Sequence, residues 1–280
     1  MFTHLDHLIV AVDDLEAAAK NYQTLFGMTQ VWSGEHKELG TSNALFAFKN
    51  TYFELLSATG EGLGADLVNH YLNQSGEGLI GIVFATDDIK KAKSSLEEQG
   101  FNMPDISSGE GINSSDQQVR RWKNLFLPPE LSRGLFSFII EHTEGALPSP
   151  MAYEPSSPHS LDHVVINTND ADSFIDIYKD AFRIRLALDK TIEHWKKRML
   201  FFRLSKTTIE VIEEQNDQET ADTLWGLAWN VASIEETHKR LLGEGVDITP
   251  IKKGIKDKTL VATINSHTHN VPTLLIEHLD

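Results

Sequence analysis

The chain is 280 residues long, 40% hydrophobic and 24% charged, the proportions of a folded protein of about two domains. Its 41 acidic against 25 basic residues leave a net charge of −16, which repels phosphate backbones and anionic lipid and argues against nucleic-acid or membrane-surface partners. The absence of cysteine excludes disulfides, thiolate nucleophiles and Cys-ligated metal centres, and a start that enters a strand pattern at once, MFTHLDHLIV, leads us to expect a cytoplasmic location.

In chain order, LDHLIVAV (5–12) has the pattern of a strand, and DDLEAAAKNYQTLFG that of a helix. Leu15, Ala18, Tyr22 and Leu25 form one apolar stripe; Asp13 or Asp14 is placed to cap the start and Gly27 the end. Two β-rich runs follow, NALFAF and TYFELLS. The glycines of TGEGLGADL come next, between a strand and a helix pattern. They read GxGxG rather than the dinucleotide GxGxxG, so no nucleotide is expected. From Gly81, GIVFATDDIKKAKSSLEEQGF repeats strand, turn, helix and terminal glycine, and QVRRWKNLFL and FSFIIEHTEG close the half.

Four of the nine prolines, Pro148, Pro150, Pro155 and Pro158, fall in ALPSPMAYEPSSPHS. Proline fixes φ and lacks an N–H, so the stretch suits an extended tether. The expected organisation is a domain at 1–146, a linker at 147–159 and a second domain at 160–280. After the linker, LDHVVINT, a helix pattern, RMLFFRL and TTIEVIE lead to GLAWNVASIEETHKRLLGEGV from Gly226 and to LLIEHLD. A shift of 156 residues, without a gap, aligns Leu5, Asp6, His7, Asp14, Tyr22, Phe26 and Glu54 with Leu161, Asp162, His163, Asp170, Tyr178, Phe182 and Glu210. The halves are duplicates, and each contains two βαβββ units. The fold class is α+β.

Alternation puts His7 on the face of Leu5, Ile9 and Ala11, and Glu54 on that of Tyr52 and Leu56. The closing strands end in Phe53-Glu54, Ile140-Glu141, Ile209-Glu210 and Ile276-Glu277, read here as equivalent positions. A carboxylate in an apolar strand is costly to bury unless it is paired, hydrogen-bonded or metal-bound. The alternative is that the glutamates are solvated strand ends and that His7 and His163 cap a core.

These residues resemble the vicinal oxygen chelate superfamily of glyoxalases, methylmalonyl-CoA epimerases, extradiol dioxygenases and bleomycin-resistance proteins. The first half resembles the glyoxalase-like domain family most, through HLDHLIVAVDDLEAAAKNY, GEHKELGTSNALFAF, YFELLS and VRRWKNLFLPPE. The resemblance implies two tandem domains of paired βαβββ units with curved, U-shaped mixed sheets. It implies divalent-metal ligands at His7, Glu54 and Glu141 and at His163, Glu210 and Glu277. Gly81 and Gly226 stand where the family often has histidine, and should border the cavity.

One imidazole and two carboxylates per site would suit Mn, Fe, Ni or a loosely held Zn. Glu54 and Glu141 are then the candidate bases of a lyase or isomerase that abstracts a proton from a chelating, oxygenated small molecule. The rival is a metal-free binding or sequestration protein of bleomycin-resistance type. His36 and Asn43, in GEHKELGTSN, and Arg121 and Trp122, in QVRRWKNLFL, are the candidate substrate contacts; an inward arginine would suit a carboxylate. His267 and His269 in SHTHN give an alternative metal pair if extended, but the nearby Pro272 favours a turn. The sequence leaves open whether the units pair in order or crosswise.

Overall fold

The computed structural model describes residues 1–148, 152–193, 195–214 and 222–279. In domain one, β1 (His4–Ala11), α1 (Leu15–Phe26), β2 (Trp32–His36), β3 (Thr41–Ala47) and β4 (Tyr52–Ala58) form the first unit. After α2 (Leu63–Ser75) come β5 (Gly78–Ala85), α3 (Ile89–Glu97), β6 (Ser107–Asn113), β7 (Val119–Phe126), the short α4 (Pro129–Ser132) and β8 (Phe136–Glu144). Domain two has β9 (Pro158–Thr168), then α5 (Ala171–Ile175) running into a wider π turn at Asp176–Ala181. It continues with β10 (Arg185–Ile192), β11 (Lys197–Leu204), β12 (Thr207–Glu213), β13 (Thr223–Val231), α6 (Ile234–Gly243), β14 (Lys252–Lys253), β15 (Thr259–Ile264) and β16 (Thr273–His278). β9 thus starts two residues inside the stretch read as linker, and Pro150 of that stretch lies outside the described residues. No described helix is long and apolar enough to cross a membrane.

The units pair in order. Domain one has the order β1-β4-β3-β2-β6-β7-β8-β5 and closes into a barrel through antiparallel β1–β5 and β2–β6 contacts. Domain two keeps the order β10-β11-β12-β9-β13-β16-β15-β14 as an open sheet. Parallel pairs of first and last strands, β1 with β4 and β5 with β8, make the sheet mixed.

Local chemistry sets the helices as the patterns suggest. Asp14 accepts the N–H of Ala17, and Gly27, at φ 62°, ends α1 in the left-handed conformation that lacks a Cβ penalty. Asp170 does the same for α5 through Ser173. The glycines before α2 serve packing: a Cβ on Gly62, at φ 150°, would lie 2.7 Å from the carbonyl carbon of Leu39. α2 then sets Val68 among Ile9, Leu56 and Ile80 inside the barrel.

Helices α1 and α3 of domain one and α5 and α6 of domain two lie in one continuous core. Leu8, Tyr22, Phe26 and Phe53 belong to the same cluster as Leu161, Phe174, Phe182 and Trp229. The Trp229 ring sits 5.1 Å from that of Phe26 and 4.3 Å from that of Phe48. Arg240 of α6 donates to the carbonyls of Thr24 and Leu25, satisfying the end of a helix in the other domain. Arg133 grips Asp222 across the same boundary, Nε to Oδ2 at 2.6 Å and Nη2 to Oδ1 at 3.1 Å.

One irregularity positions the site. β1 slips register against β5 between Leu5 and His7, so Asp6 is a bulge. Leu5 therefore packs in the outer core with Leu8 and Val10, while His7, Ile9 and Ala11 face the barrel interior. Simple alternation had put Leu5 on the face of His7; the extra residue turns it away. β9 and β13 slip in the same place, and Leu161 turns into the outer core beside the bulged Asp162.

Candidate functional site

His7 is the centre of a buried polar chain inside the domain-one barrel. Its Nδ1 lies 2.7 Å from Asp6 Oδ1 and its Nε2 3.3 Å from Glu54 Oε2. Asp6 Oδ2 lies 3.0 Å from His142 Nε2, and Asn43 Nδ2 donates to Glu54 Oε1 at 2.7 Å. Tyr52 stacks on the imidazole with ring centres 4.4 Å apart. Burial opposes charge on Asp6, His7 and Glu54, but the mutual bonds outweigh it. Bonds to Asp6 and Glu54 raise the pKa of His7; His7, with Asn43 and the nearby His36, lowers that of Glu54; His142 and His7 hold Asp6 far below the usual carboxylate range.

The four strand-end glutamates are of two kinds. Glu54 pairs with Ile9 and points inward; the residue in the corresponding place of the second unit, opposite Val83, is Phe138. Glu141 falls three residues later, on the outer face. Its Oε2 accepts the N–H of Ile89 at the start of α3, 2.9 Å away, and its Oε1 meets Lys123. Glu277 does the same for Ile234 of α6 at 2.7 Å, and Glu213 for Ala171 at 3.2 Å. Neither Glu141 nor Glu277 therefore joins His7 or His163: each neutralises an unpaired N–H at the positive end of a helix.

Gly81 faces inward but borders no open space. A Cβ there would meet Ile9 and the Phe136 ring at 3.0–3.1 Å, and on Gly226 it would meet the Pro272 carbonyl oxygen at 2.7 Å.

The remaining candidates divide. His36 and Asn43 lie inward: His36 Nδ1 is 3.1 Å from Thr41 Oγ1, and burial, reinforced by Arg120, pushes its pKa down despite Glu54. Trp122 packs among the interior residues, its ring occupying the space that side chains on Gly109 and Gly111 would fill. Arg121 faces out, held by Glu110 and Glu144. The inward arginine is its neighbour Arg120, between the rings of Trp32 and Tyr52 at 5.4 and 5.6 Å. His267 and His269 lie in a turn, and His269 bonds Glu77 and Asn21 of the other domain rather than a metal.

Sequence reasoning missed Asp6, His142 and Arg120. The first two carried a signal: Asp6 recurs as Asp162 at the duplication offset, and the tripeptide Ile-Glu-His recurs at 140–142 and 276–278. Domain two repeats the chain with looser geometry. His163 lies 2.8 Å from Asp162 and 3.7 Å from Glu210, and His278 lies 2.7 Å from Asp162. There burial prevails over His163 and raises the pKa of Glu210, the reverse of Glu54.

The donor set does not fit a resident divalent metal. His7 and Glu54 come from one unit, while the paired unit offers Gly81 and Phe138, which have no donor atom on the side chain. Among the described residues no group of three His, Cys, Asp or Glu converges on a point. Three or four protein ligands are the usual minimum for a retained transition metal.

Comparison with known proteins gives the following matches. The glyoxalase-like domain family matches residues 5–182, and the glyoxalase/bleomycin resistance protein/dioxygenase superfamily matches residues 160–263. Ethylmalonyl-CoA/methylmalonyl-CoA epimerase of Cereibacter sphaeroides is 30% identical over 110 residues, covering 39% of this chain and 79% of the epimerase. Among solved structures, the Mn(II)-bound glyoxalase of Novosphingobium aromaticivorans has a TM-score of 0.66 at 15% identity, over 100% of this chain and 83% of that one. A variant of 4-hydroxymandelate synthase from Streptomyces coelicolor also gives 0.66, at 13% identity over 99% of this chain and 92% of that one. At these identities the structural matches speak for the fold alone.

Proposed function

Because the chain belongs to the glyoxalase-like domain family, within the vicinal oxygen chelate superfamily, we propose that its domain-one barrel is a small-molecule binding site that works without a resident metal. The observation that carries this reading is the His7–Glu54 pair, 3.3 Å apart, facing Gly81 and Phe138 where the paired unit would have to supply further ligands. The acid–base balance supports the same choice. A general base works best with a pKa near the working pH, and Glu54 is pushed the other way. Glu54 acts here as a hydrogen-bond acceptor for the ligand, oriented by Asn43 and His7. Asp6 and His142 hold His7 in place, and Trp32, Tyr52 and Trp122 supply flat apolar walls.

The test is metal content and metal affinity of the full chain purified without added metal. We expect substoichiometric Mn, Fe, Ni and Zn, and no saturable Mn²⁺ or Ni²⁺ binding by calorimetry that His7→Ala abolishes. Stoichiometric metal, lost on His7→Ala, would overturn the reading in favour of a metal-assisted lyase or isomerase of the kind suggested by the epimerase relative.

A further inference from the structure

Two arginines of this protein are less than a tenth exposed, Arg120 at 6% and Arg133 at 7%. Arg133 is fully engaged: Nε and Nη2 bind the two carboxylate oxygens of Asp222, and Nη1 and Nη2 reach Ser173 and Thr168. Arg120 has nothing comparable. Its Nε is buried without a hydrogen-bond partner, and among the described residues it joins none of the ion pairs that the other inward charges make. An unpaired buried charge costs several kcal/mol, so proteins rarely leave one without a counter-ion.

The barrel does contain carboxylates, but they are committed. Asp6 is shared by His7 and His142, and Glu54 by His7 and Asn43. Arg120 is held in place by other means. It alternates with Trp122 along β7, so it faces inward, and its guanidinium carbon lies 5.4 and 5.6 Å from the centres of the Trp32 and Tyr52 rings, which offer no hydrogen-bond acceptor of carboxylate type. Two further buried polar atoms, Asn43 Oδ1 and Asn124 Oδ1, are also without a partner; Gly34 keeps the neighbourhood of Asn43 Oδ1 free of a side chain, since a Cβ there would lie 3.2 Å away. An unpaired donor and unpaired acceptors therefore sit in the same barrel.

We infer that Arg120 is the anion-binding residue of the domain-one site and that its ligand is a small organic carboxylate, paired side-on through Nε and one Nη as Asp222 pairs with Arg133. This rests on the reading of the barrel as a small-molecule site and adds the class of molecule it takes. Asn43 Oδ1 then accepts a hydroxyl or N–H of the same molecule, and the aromatic walls favour a planar or short apolar body. Such recognition needs a planar two-oxygen group matched to the guanidinium fork.

Calorimetric titration of the full chain with acetate and benzoate, each against its neutral amide (acetamide and benzamide), tests the inference. The indole N–H resonances of the tryptophans serve as a second readout. We expect the carboxylates to bind at least about tenfold more tightly than the amides, the margin typical of a charge-assisted pair over a neutral one. Arg120→Met should abolish that preference while leaving amide affinity in place, and Arg120→Lys should restore part of it. Should Arg120→Met fail to fold, the comparison in the unaltered protein still decides. Equal binding of amide and carboxylate overturns the role of Arg120 and leaves the small-molecule site standing; no binding by either, with unmoved indole resonances, overturns both.

Discussion

Glu54 and Phe138 occupy the same place in the two halves of one barrel, Glu54 opposite Ile9 and Phe138 opposite Val83. A pseudo-symmetric site would have a carboxylate at both. Here the last strand of one unit offers a carboxylate and that of the other a ring, while the inward arginine, Arg120, comes from the second unit and lies against Trp32 and Tyr52 of the first. This asymmetry separates the residues that hold the fold from those that face the interior, and it makes their substitutions behave differently.

Glu141→Ala should weaken the fold and leave the site alone. It removes the acceptor for the first N–H of α3, a change of the capping kind that costs about 0.5–2 kcal/mol. Urea unfolding should record that loss, while benzoate affinity stays within twofold of the unaltered protein. A loss of ligand affinity without loss of stability would put Glu141 back into the site.

The Arg133–Asp222 pair should matter more than any exposed ion pair. Arg133→Ala leaves Asp222 buried and unpaired and is expected to cost about 3–5 kcal/mol. Burial already raises the pKa of Asp222 despite its arginine, so Asp222 has little to spare. Arg121→Ala, which breaks two surface contacts, should change unfolding midpoints little.

The pH dependence of stability follows from the shifts around His7. The pKa of His7 is raised above its ordinary 6.5, so its stabilisation is complete below that pH and is lost as pH rises through the folded-state value. Asp6 and Glu54 are shifted below their ordinary values of 3.8 and 4.5, so theirs is complete above those values and is lost as pH falls through the lower folded-state ones. The cluster thus stabilises most between about pH 4.5 and 6.5. Unfolding free energies measured from pH 5 to 9 should fall across the alkaline side, and less steeply in His7→Gln. Glu210, raised by burial, has the opposite sign: its charge opposes folding at neutral pH, so Glu210→Gln should stabilise at pH 8 where Glu54→Gln destabilises.

The two halves should not survive apart. A fragment of residues 1–148 exposes Phe26 and Phe48 where Trp229 covers them, and leaves the end of α1 without Arg240. Each large apolar side chain uncovered costs about 1.5–3 kcal/mol, against a total stability of about 5–15. Expressed singly, each half should lack a cooperative unfolding transition; expressed together, they should copurify. A stable, monomeric first half would contradict the shared core.

Much of the fold was legible because it rests on local periodicity and on an offset without gaps. The caps at Asp14 and Gly27, the four units and the position of His7 all depend on neighbouring residues. The site was less legible because it depends on pairing register. A glutamate after a large apolar residue at a strand end looks alike whether it stands opposite Ile9, as Glu54 does, or three residues further on, as Glu141 does by analogy. Alternation likewise passes over a bulge, and so assigned Leu5 to the face of His7 and left Asp6 unnoticed. Choosing Arg121 over Arg120 was a phase error of one residue on β7, which only the pairing with β6 resolves.

The bulges at Asp6 and Asp162 also carry a history. An extra residue at the same point of the first strand, with an aspartate beneath the following histidine and a second histidine on its other oxygen, is found in both halves. Two independent insertions at one register position are far less economical than one. The simplest account is that the unit copied to make this chain already had the kinked strand. Deleting Asp6 would remove the residue that the bulge accommodates: the rest of β1 could stay in register with β5, and His7 would lose the group that holds it.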